Sequence, residues 1–398
     1  MNEPLHRKLR MALIGGGGAA FIGPIHVIAA TLDQRAELVA GAFSSDPDRS
    51  RAAAQRFGID GARAYDSWAA LLRDEARLTS DQRAEFVAIA TPNHTHFAIA
   101  QAALQAGFHV VCEKPLTIDL DEAATLAELV DRTGAVFAVA HGYAGHPTVC
   151  QARAMIAGGE LGNVQAVRVQ YLQGGLRGQQ PGVAPARGGW KSNPALAGPA
   201  GTLADIGTHA FHLLRYVAGL LPVEITCQLK SFFPERQLDD YAHVVLRLTR
   251  GALGTITVSQ VTHGRLNDLI VEVDGTTGSL QWRQEDAERL TLRRHGQPVQ
   301  VYERNARGSV LHASARQLCR LPGGHAEGFL EAFANLYRGA LDAMVAQATG
   351  QRPVTPAVSY PDVRDGVEGV EFVTRCLESH QENGAWKAWS NKAGRSPS

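Results

Sequence analysis

An excess of charge of either sign is missing from this chain. Its 398 residues carry 39 Lys and Arg against 39 Asp and Glu, and the sequence pI is about 7.3. Binding to nucleic-acid phosphates or to anionic lipid calls for a strong basic field, so neither partner is expected. Long apolar runs are missing too: none approaches the roughly 20 residues of a membrane span. Cysteine is scarce. Cys112, Cys150, Cys227, Cys319 and Cys376 are scattered, without a CxxC pair or metal-ligand spacing. That excludes a disulfide framework and a thiolate metal site, and predicts reduced thiols in a cytoplasmic protein. The opening "MNEPLHRKLRMALIGGGG" runs straight into a short strand and glycines, so no secretory leader is expected. There is no internal repeat.

What the chain does contain is enough apolar residue, 45% of the total, for two cores at this length. In the first third, "RMALIG", "AELVAGAF", "EFVAIATP", "HVVCEKP" and "AVFAVAHGY" alternate with helical stretches. These runs are apolar on both faces, as strands covered by helices on both sides must be, and predict a doubly wound α/β sheet of Rossmann type. Asp119 is placed to cap one of the helices, with Glu122 three residues on. From about residue 164 the pattern changes to period two. "VQAVRVQYL" puts Val167, Val169 and Tyr171 on one face, and "AHVVLRLTRGALGTITVSQVT" and "DLIVEVDGTTGSLQW" read as strand pairs. A second, α+β domain with a large, open, mainly antiparallel sheet follows. The expected boundaries are 1–143, 144–390 and a tail at 391–398, with "GRSPS" disordered. Residues 178–201, rich in proline and glycine, predict a long irregular loop that serves as a lid or binding segment.

"ALIGGGGAAFIGPIH" leaves a strand and opens a helix, the context of a dinucleotide site. Glycines let the backbone approach the pyrophosphate, which the helix N-terminus stabilises. Gly15 and Gly17 suit the first two glycine positions; the third falls on Ala20 or on Gly23, with Phe21 and Ile22 at the helix head. The second strand ends in "GAFSSDP", where an NAD-type site places a carboxylate and an NADP-type site places hydroxyls and an arginine. Ser44, Ser45 and Arg49 favour NADP over NAD, Asp46 coming two residues late. A plain helix cap is the competing reading of "SSDPDRS".

"VVCEKPLTID" ends a buried strand in two charges and a proline. At the carboxyl end of a parallel strand a lysine can face a bound nicotinamide, while the proline, with Lys114–Pro115 a candidate cis bond, sets its direction. Glu113 and Lys114 alternate faces and are poorly placed to pair with each other.

This segment, the glycine-rich start and "DIGTH" together resemble the Gfo/Idh/MocA family of oxidoreductases, from Met11 to about Trp389. The resemblance implies a Rossmann domain with an open-sheet second domain, an NAD(P) cofactor, sugar or cyclitol substrates, and homodimers or homotetramers. Lys114 matches the catalytic lysine of EKP, with Glu113 beside it. Asp205 and His209 match the acid and histidine of DxGxH. Thr91, Pro92, Asn93 and His94 match a cofactor-lining segment after the fourth strand. Apart from any resemblance, Asp205 and His209 are four apart and stack if the helix has begun. A carboxylate beside an imidazole sets its tautomer. His212, one turn on, is assigned to the core.

The chain departs from the family pattern after the sixth strand, where "AHGYAGHP" replaces an asparagine-arginine segment. His141, Tyr143 and His146 there suit a neutral polyol better than an anion. Arg187, Trp190 and Lys191 on the long loop, and His325 and Glu327 further on, are candidate substrate contacts. Trp190 with Lys191 can cover a sugar face and donate to its hydroxyls. The expected function is reversible oxidation of a secondary alcohol of a sugar, sugar derivative or cyclitol, with hydride passing to the nicotinamide. Lys114 relays the proton and orients substrate, His209 transfers the proton directly, and Asp205 holds His209 and binds a hydroxyl. Such a lysine needs its pKa lowered from about 10.4 towards 7, roughly 4 kcal/mol. Two rivals are an NAD-retaining redox glycosidase and a cofactor-sensing protein without chemistry.

Overall fold

Strands β1 (Leu9–Gly15), β2 (Ala36–Ala42), β3 (Phe86–Ala90), β4 (His109–Cys112) and β5 (Phe137–Val139) form one parallel sheet in the order β2-β1-β3-β4-β5. Every residue of β3 and β5 is buried, which is why these runs read as apolar on both faces. The computed structural model describes residues 7–18, 21–176, 189–233, 236–305, 311–350 and 358–395. Helices α1 (Ile22–Thr31), α2 (Pro47–Phe57), α3 (Trp68–Glu75), α4 (His96–Gln105) and α5 (Leu120–Thr133) connect the strands. Asp119 immediately precedes α5. The Thr91 segment therefore follows the third strand and Ala140 the fifth, not the fourth and sixth. The missing positions survive as isolated bridges, Gly41 to Ala64 in parallel and Ala138 to Asp362 antiparallel.

The unit built on this sheet comprises residues 1–117, 121–142 and 330–366. The break at residues 142–143 lies where the sequence places it, but residues 330–366, expected in the second domain, belong to the first unit. The long helix Phe329–Thr349 brings Phe333 edge-on to His26, with centroids 5.1 Å apart, and Asp342 to within 2.5 Å of Arg35. A boundary drawn along the sequence misses a chain that returns.

The second unit comprises residues 118–120, 143–329 and 367–398. Its nine strands are β6 (Val164–Leu172), β7 (Pro222–Lys230), β8 (Tyr241–Leu248), β9 (Leu253–Ser259), β10 (Asp268–Gly275), β11 (Gly278–Arg283), β12 (Arg289–Arg294), β13 (Gln300–Glu303) and β14 (Lys387–Ala388). They lie in the order β13-β12-β11-β10-β6-β9-β8-β7-β14. All neighbours are antiparallel except β6 and β9, which run parallel. The helix Thr208–Ala218 and the β7–β8 pair lie between them in sequence and supply the long crossover that a parallel pair needs.

Val167, Val169, Val244, Leu246, Ile256, Val258 and Val271 form the buried face, packed on helices that include Thr208–Ala218. The apolar sides of "HVVLRLT" and "LIVEV" are thus covered within the unit. The opposite face carries Arg168 paired with Glu272 and Asp274. An open sheet with an apolar face, as "HVVLRLT" and "LIVEV" suggest, would leave surface for a partner subunit to cover, but these strands present no such apolar face among the described residues.

Two smaller expectations also change. The proline-rich loop holds one helical turn, Pro194–Ala197, because Asn193 caps it by accepting from the Ala195 N–H and Pro194 suits its first position. Residues 177–188 of that loop, Arg187 included, lie outside the described residues. At the start of the tail Lys392 donates its backbone N–H to Glu371, Ala393 is buried, and Arg395 lies 3.6 Å from Glu368; residues 396–398 of "GRSPS" lie outside the described residues.

Candidate active site

In the first unit the turn after β1 has no room for side chains. Gly15 and Gly16 take φ of +85° and +73°, which favours glycine. A Cβ on Gly15 would lie 2.5 Å from the Ala90 carbonyl oxygen and 2.7 Å from Thr91 Cγ2; one on Gly17 would lie 2.6 Å from the Phe43 oxygen. A Cβ on Gly23 would lie 2.4 Å from Gly16 Cα, so Gly23 is the glycine that lets α1 pack on the turn. The alternative, Ala20, lies outside the described residues. Phe21 is exposed at the head of α1 and Ile22 begins the helix. A tight glycine turn that leads into a helix head fits a dinucleotide pyrophosphate.

At the end of β2 the helix-cap reading of "SSDPDRS" is realised. Asp46 caps α2 by accepting the Arg49 N–H at 3.0 Å, and its other oxygen accepts from Arg49 Nε at 3.3 Å. The Arg49 N–H, opposed by slight burial and helped by the guanidinium, holds this carboxyl below the usual range. Ser44 Oγ accepts the Asp46 N–H, while Ser45 is exposed.

Thr91 accepts from the Thr95 hydroxyl at 2.7 Å; Pro92 precedes a turn on which Asn93 is buried and His94 exposed. His96, fully buried, reaches the Pro115 oxygen through Nδ1 and the Thr91 oxygen through Nε2, each at 2.9 Å. It ties the Thr91 loop to the EKP turn, and burial pushes its pKa down against the pull of those two carbonyls. The Lys114–Pro115 bond is cis. Glu113 is buried, and its carboxylate accepts from His26 Nε2 at 3.1 Å and from the Lys114 backbone N–H at 3.2 Å.

In the second unit, Asp205 lies on a π-helical turn, Leu203–Gly207, and His209 on the α-helix that continues it. The i→i+5 winding changes the expected stacking of residues four apart. Asp239 fastens the start of the turn by accepting the Gly201 and Leu203 N–H groups at 2.6 and 2.8 Å. Asp205 accepts from Gln260 Nε2 at 2.9 Å and from Lys191 Nζ at 3.3 Å, and Lys191 lies 5.7 Å from the Trp190 ring.

His209 meets Tyr143 edge-on, centroids 5.0 Å apart. Tyr143, Tyr171 and Asn267 close a ring of hydrogen bonds at 2.6, 2.6 and 3.2 Å, and Gln173 joins it by donating to Asn267 at 2.8 Å. His212 is buried and stacked on Tyr216, the core role expected of it. His325 is exposed and takes a hydrogen bond from Arg304 only through its backbone. Glu327 is buried against Arg304 at 2.9 Å and accepts two backbone N–H groups, so it is structural, not a rim residue.

Sequence reasoning missed His26, His96, Gln173, Gln260 and Asn267. Gln260 could have been found, because it continues the inward phase of Ile256 and Val258. His26 is a polar residue in the apolar stripe of α1, a weaker signal of the same kind.

A model described as "Oxidoreductase family, NAD-binding Rossmann fold" matches residues 9–141, and "GFO/IDH/MocA C-terminal domain" matches residues 149–281. An uncharacterized oxidoreductase, YfiI, of Bacillus subtilis is 32% identical over 96% of this chain and 97% of its own. Levoglucosan dehydrogenase of Pseudarthrobacter phenanthrenivorans is 29% identical over 72% of this chain and 76% of its own. The solved inositol dehydrogenase homologue of Azotobacter vinelandii, complexed with NAD+, superimposes with a TM-score of 0.91 at 40% identity, covering 98% of this chain and 99% of its own. With its glycine turn, its EKP segment and its DIGTH turn each in the expected element, this chain belongs to the Gfo/Idh/MocA family of oxidoreductases, those with an NAD-binding Rossmann fold.

Proposed function

We propose that the protein is an NAD(P)-dependent dehydrogenase acting on a secondary alcohol of a neutral sugar, sugar derivative or cyclitol. The observation that carries the substrate class is the hydrogen-bonding surface around Asp205 and His209. Gln173, Gln260, Asn267, Tyr143 and Tyr171 all carry groups that both donate and accept or change role by rotation, as a hydroxyl-rich ligand requires. The charge of Lys191 is matched there by Asp205. Relatives named for levoglucosan, scyllo-inositol, D-apiose and D-xylose support the same class, as does a solved neighbour holding NADH and myo-inositol.

The glycine turn at Gly15, Gly17 and Gly23 with Phe21 and Ile22, the β2 end at Ser44, Ser45 and Arg49, the segment Thr91 to His94, and the Glu113–Lys114 turn hold the nucleotide. When bound, the nicotinamide supplies the hydride acceptor. Lys114 orients the substrate hydroxyl and relays its proton, His209 takes the proton at its ring nitrogen, and Asp205 binds a neighbouring hydroxyl. Tyr143, Trp190, Lys191 and His325 contact the remaining hydroxyls. Five free thiols, four of them buried, support a reducing, cytoplasmic setting. A homodimer or homotetramer is part of the same reading.

The test is a panel of cyclitols, aldoses, anhydrosugars and sugar acids with each nucleotide, followed by absorbance of the reduced nicotinamide. Turnover of neutral polyols with net reduction is expected. Turnover confined to sugar acids, or cleavage of glycosides without net reduction, would sink the reading, the second in favour of a redox glycosidase.

The choice of nucleotide belongs to the same proposal. The carboxylate nearest the end of β2, Asp46, is engaged in capping α2, and the Arg49 side chain is 72% exposed. Its pair with Asp46 is therefore screened by solvent and yields readily to a phosphate. NADP is expected to bind more tightly than NAD, and Arg49→Ala to remove the difference. Dissociation constants that favour NAD in both proteins would overturn this.

A further inference from the structure

Lys114 follows a buried acid that is held from two other elements. Glu113, on the turn after β4, accepts from His26 Nε2 at 3.1 Å, and His26 lies on α1, the helix that opens at the glycine turn. The other imidazole nitrogen, Nδ1, meets the Tyr337 hydroxyl at 2.6 Å, and Tyr337 lies on the helix Phe329–Thr349. His26 and Tyr337 are fully buried, and Glu113 nearly so.

The direction of these bonds follows from the acid. Burial opposes ionisation of Glu113, but the His26 hydrogen bond and the neighbouring His26, Lys114 and His96 outweigh it, and its pKa falls below the ordinary value. A carboxylate only accepts, so Nε2 carries the hydrogen. Nδ1 faces the hydroxyl of Tyr337, whose phenol burial keeps protonated. The second Glu113 oxygen accepts the backbone N–H of Lys114. Tyr337, His26 and Glu113 therefore form one hydrogen-bonded chain that ends on the lysine's own amide.

We propose that His26, backed by Tyr337, is a positioning residue for Lys114: it fixes the Glu113 carboxylate, which in turn fixes the backbone from which the catalytic lysine projects. This rests on the role of Lys114 proposed above. A chain made only for packing would use apolar side chains here, because a buried polar chain adds no stability over a well-packed apolar one. What it adds is direction. The titratable groups facing Glu113 are His26 from α1, His96 from α4, Tyr337 from the helix Phe329–Thr349, and the adjacent Cys112 and Lys114, so removal of its charge reaches the lysine directly.

The sequence holds six lysines, which makes the ammonium itself observable. Reductive methylation with carbon-13 formaldehyde gives each lysine an NMR signal, and Lys114→Arg identifies the one wanted. In Tyr337→Phe and in His26→Asn the Lys114 signal should shift and broaden while the other five stay in place. In Glu113→Gln its titration midpoint should move down, because a neighbouring negative charge has gone. In Tyr337→Phe and His26→Asn, NADH affinity, read by its fluorescence, should change by less than about threefold, and turnover should fall about 10- to 100-fold, the scale of a small misplacement.

An unmoved Lys114 signal in both Tyr337→Phe and His26→Asn would overturn the proposal. So would NADH affinity and all six signals changing together, which marks a general scaffold. Failure of the underlying reading is separate: it shows as near-normal turnover in Lys114→Ala, whatever the NMR signals do.

Discussion

The proton-transfer roles proposed for Lys114 and His209 are open to measurement. If they act as one proton-transfer unit, Lys114→Ala and His209→Ala should each lose about 10²- to 10⁴-fold in turnover, the usual worth of a positioned acid–base group. Their double mutant should lose little more than the worse single, since members of one unit are not additive. Cofactor affinity should stay near normal throughout. Near-normal turnover in Lys114→Ala would favour the cofactor-sensing alternative. Asp205 behaves differently because Gln260 and Lys191 already hold it. Asp205→Asn should be mild if the carboxylate only orients and severe if it binds a substrate hydroxyl. Buried His212 gives a residue-scale pH prediction. Burial pushes its pKa well below the ordinary 6.5, helped by Arg215 and His209. The unfolded chain therefore takes up the proton first as pH falls, and stability drops below about pH 6.5. The melting temperature should decline between pH 6.5 and 5, and His212→Gln should flatten that decline; an unchanged slope would refute the assignment.

At the scale of elements, the glycine turn and the head of α1 act as one piece. Gly23→Ala would drive a methyl to within 2.4 Å of Gly16 Cα, backbone that cannot move aside without opening the turn. Overpacking of this kind costs about 1–3 kcal/mol. NAD(H) affinity should fall at least tenfold together with a lowered melting temperature; tight binding in this variant would show that α1 does not need to touch the turn. The elements also show what the sequence can and cannot reveal. Short apolar runs and period-two strands were legible because burial on one face or two leaves a periodic trace in the residues themselves. The π-turn under Asp205 was not, since its winding depends on Asp239, 34 positions downstream, holding the Gly201 and Leu203 amides. His26 and Tyr337, 311 positions apart, leave no local trace of their bond. The motifs were legible because their residues are close in sequence, and the groups that hold them were missed where those come from another part of the chain.

For the whole molecule, the nine-stranded sheet poses the question of assembly. Its edge strands are short, four residues in β13 and two in β14, and short edges disfavour edge-to-edge pairing. The outward face remains, and it is mixed rather than apolar: Arg168 with Glu272 and Asp274, Arg247 with Glu224, and between them the exposed Leu253. Ion pairs set across a flat sheet give register more than affinity, while a central aliphatic residue supplies the contact that excludes water. If this face joins two copies, particle mass in solution should be a multiple of 42.6 kDa, and Leu253→Asp should move it towards the single chain without lowering the melting temperature of that chain. Raised salt should weaken the assembly, because the flanking pairs are solvent-accessible and screened. Light scattering at micromolar protein decides the matter: one 42.6 kDa particle for the parent chain would reject a homo-oligomer, and an unaltered multimer in Leu253→Asp would place the contact on some other surface.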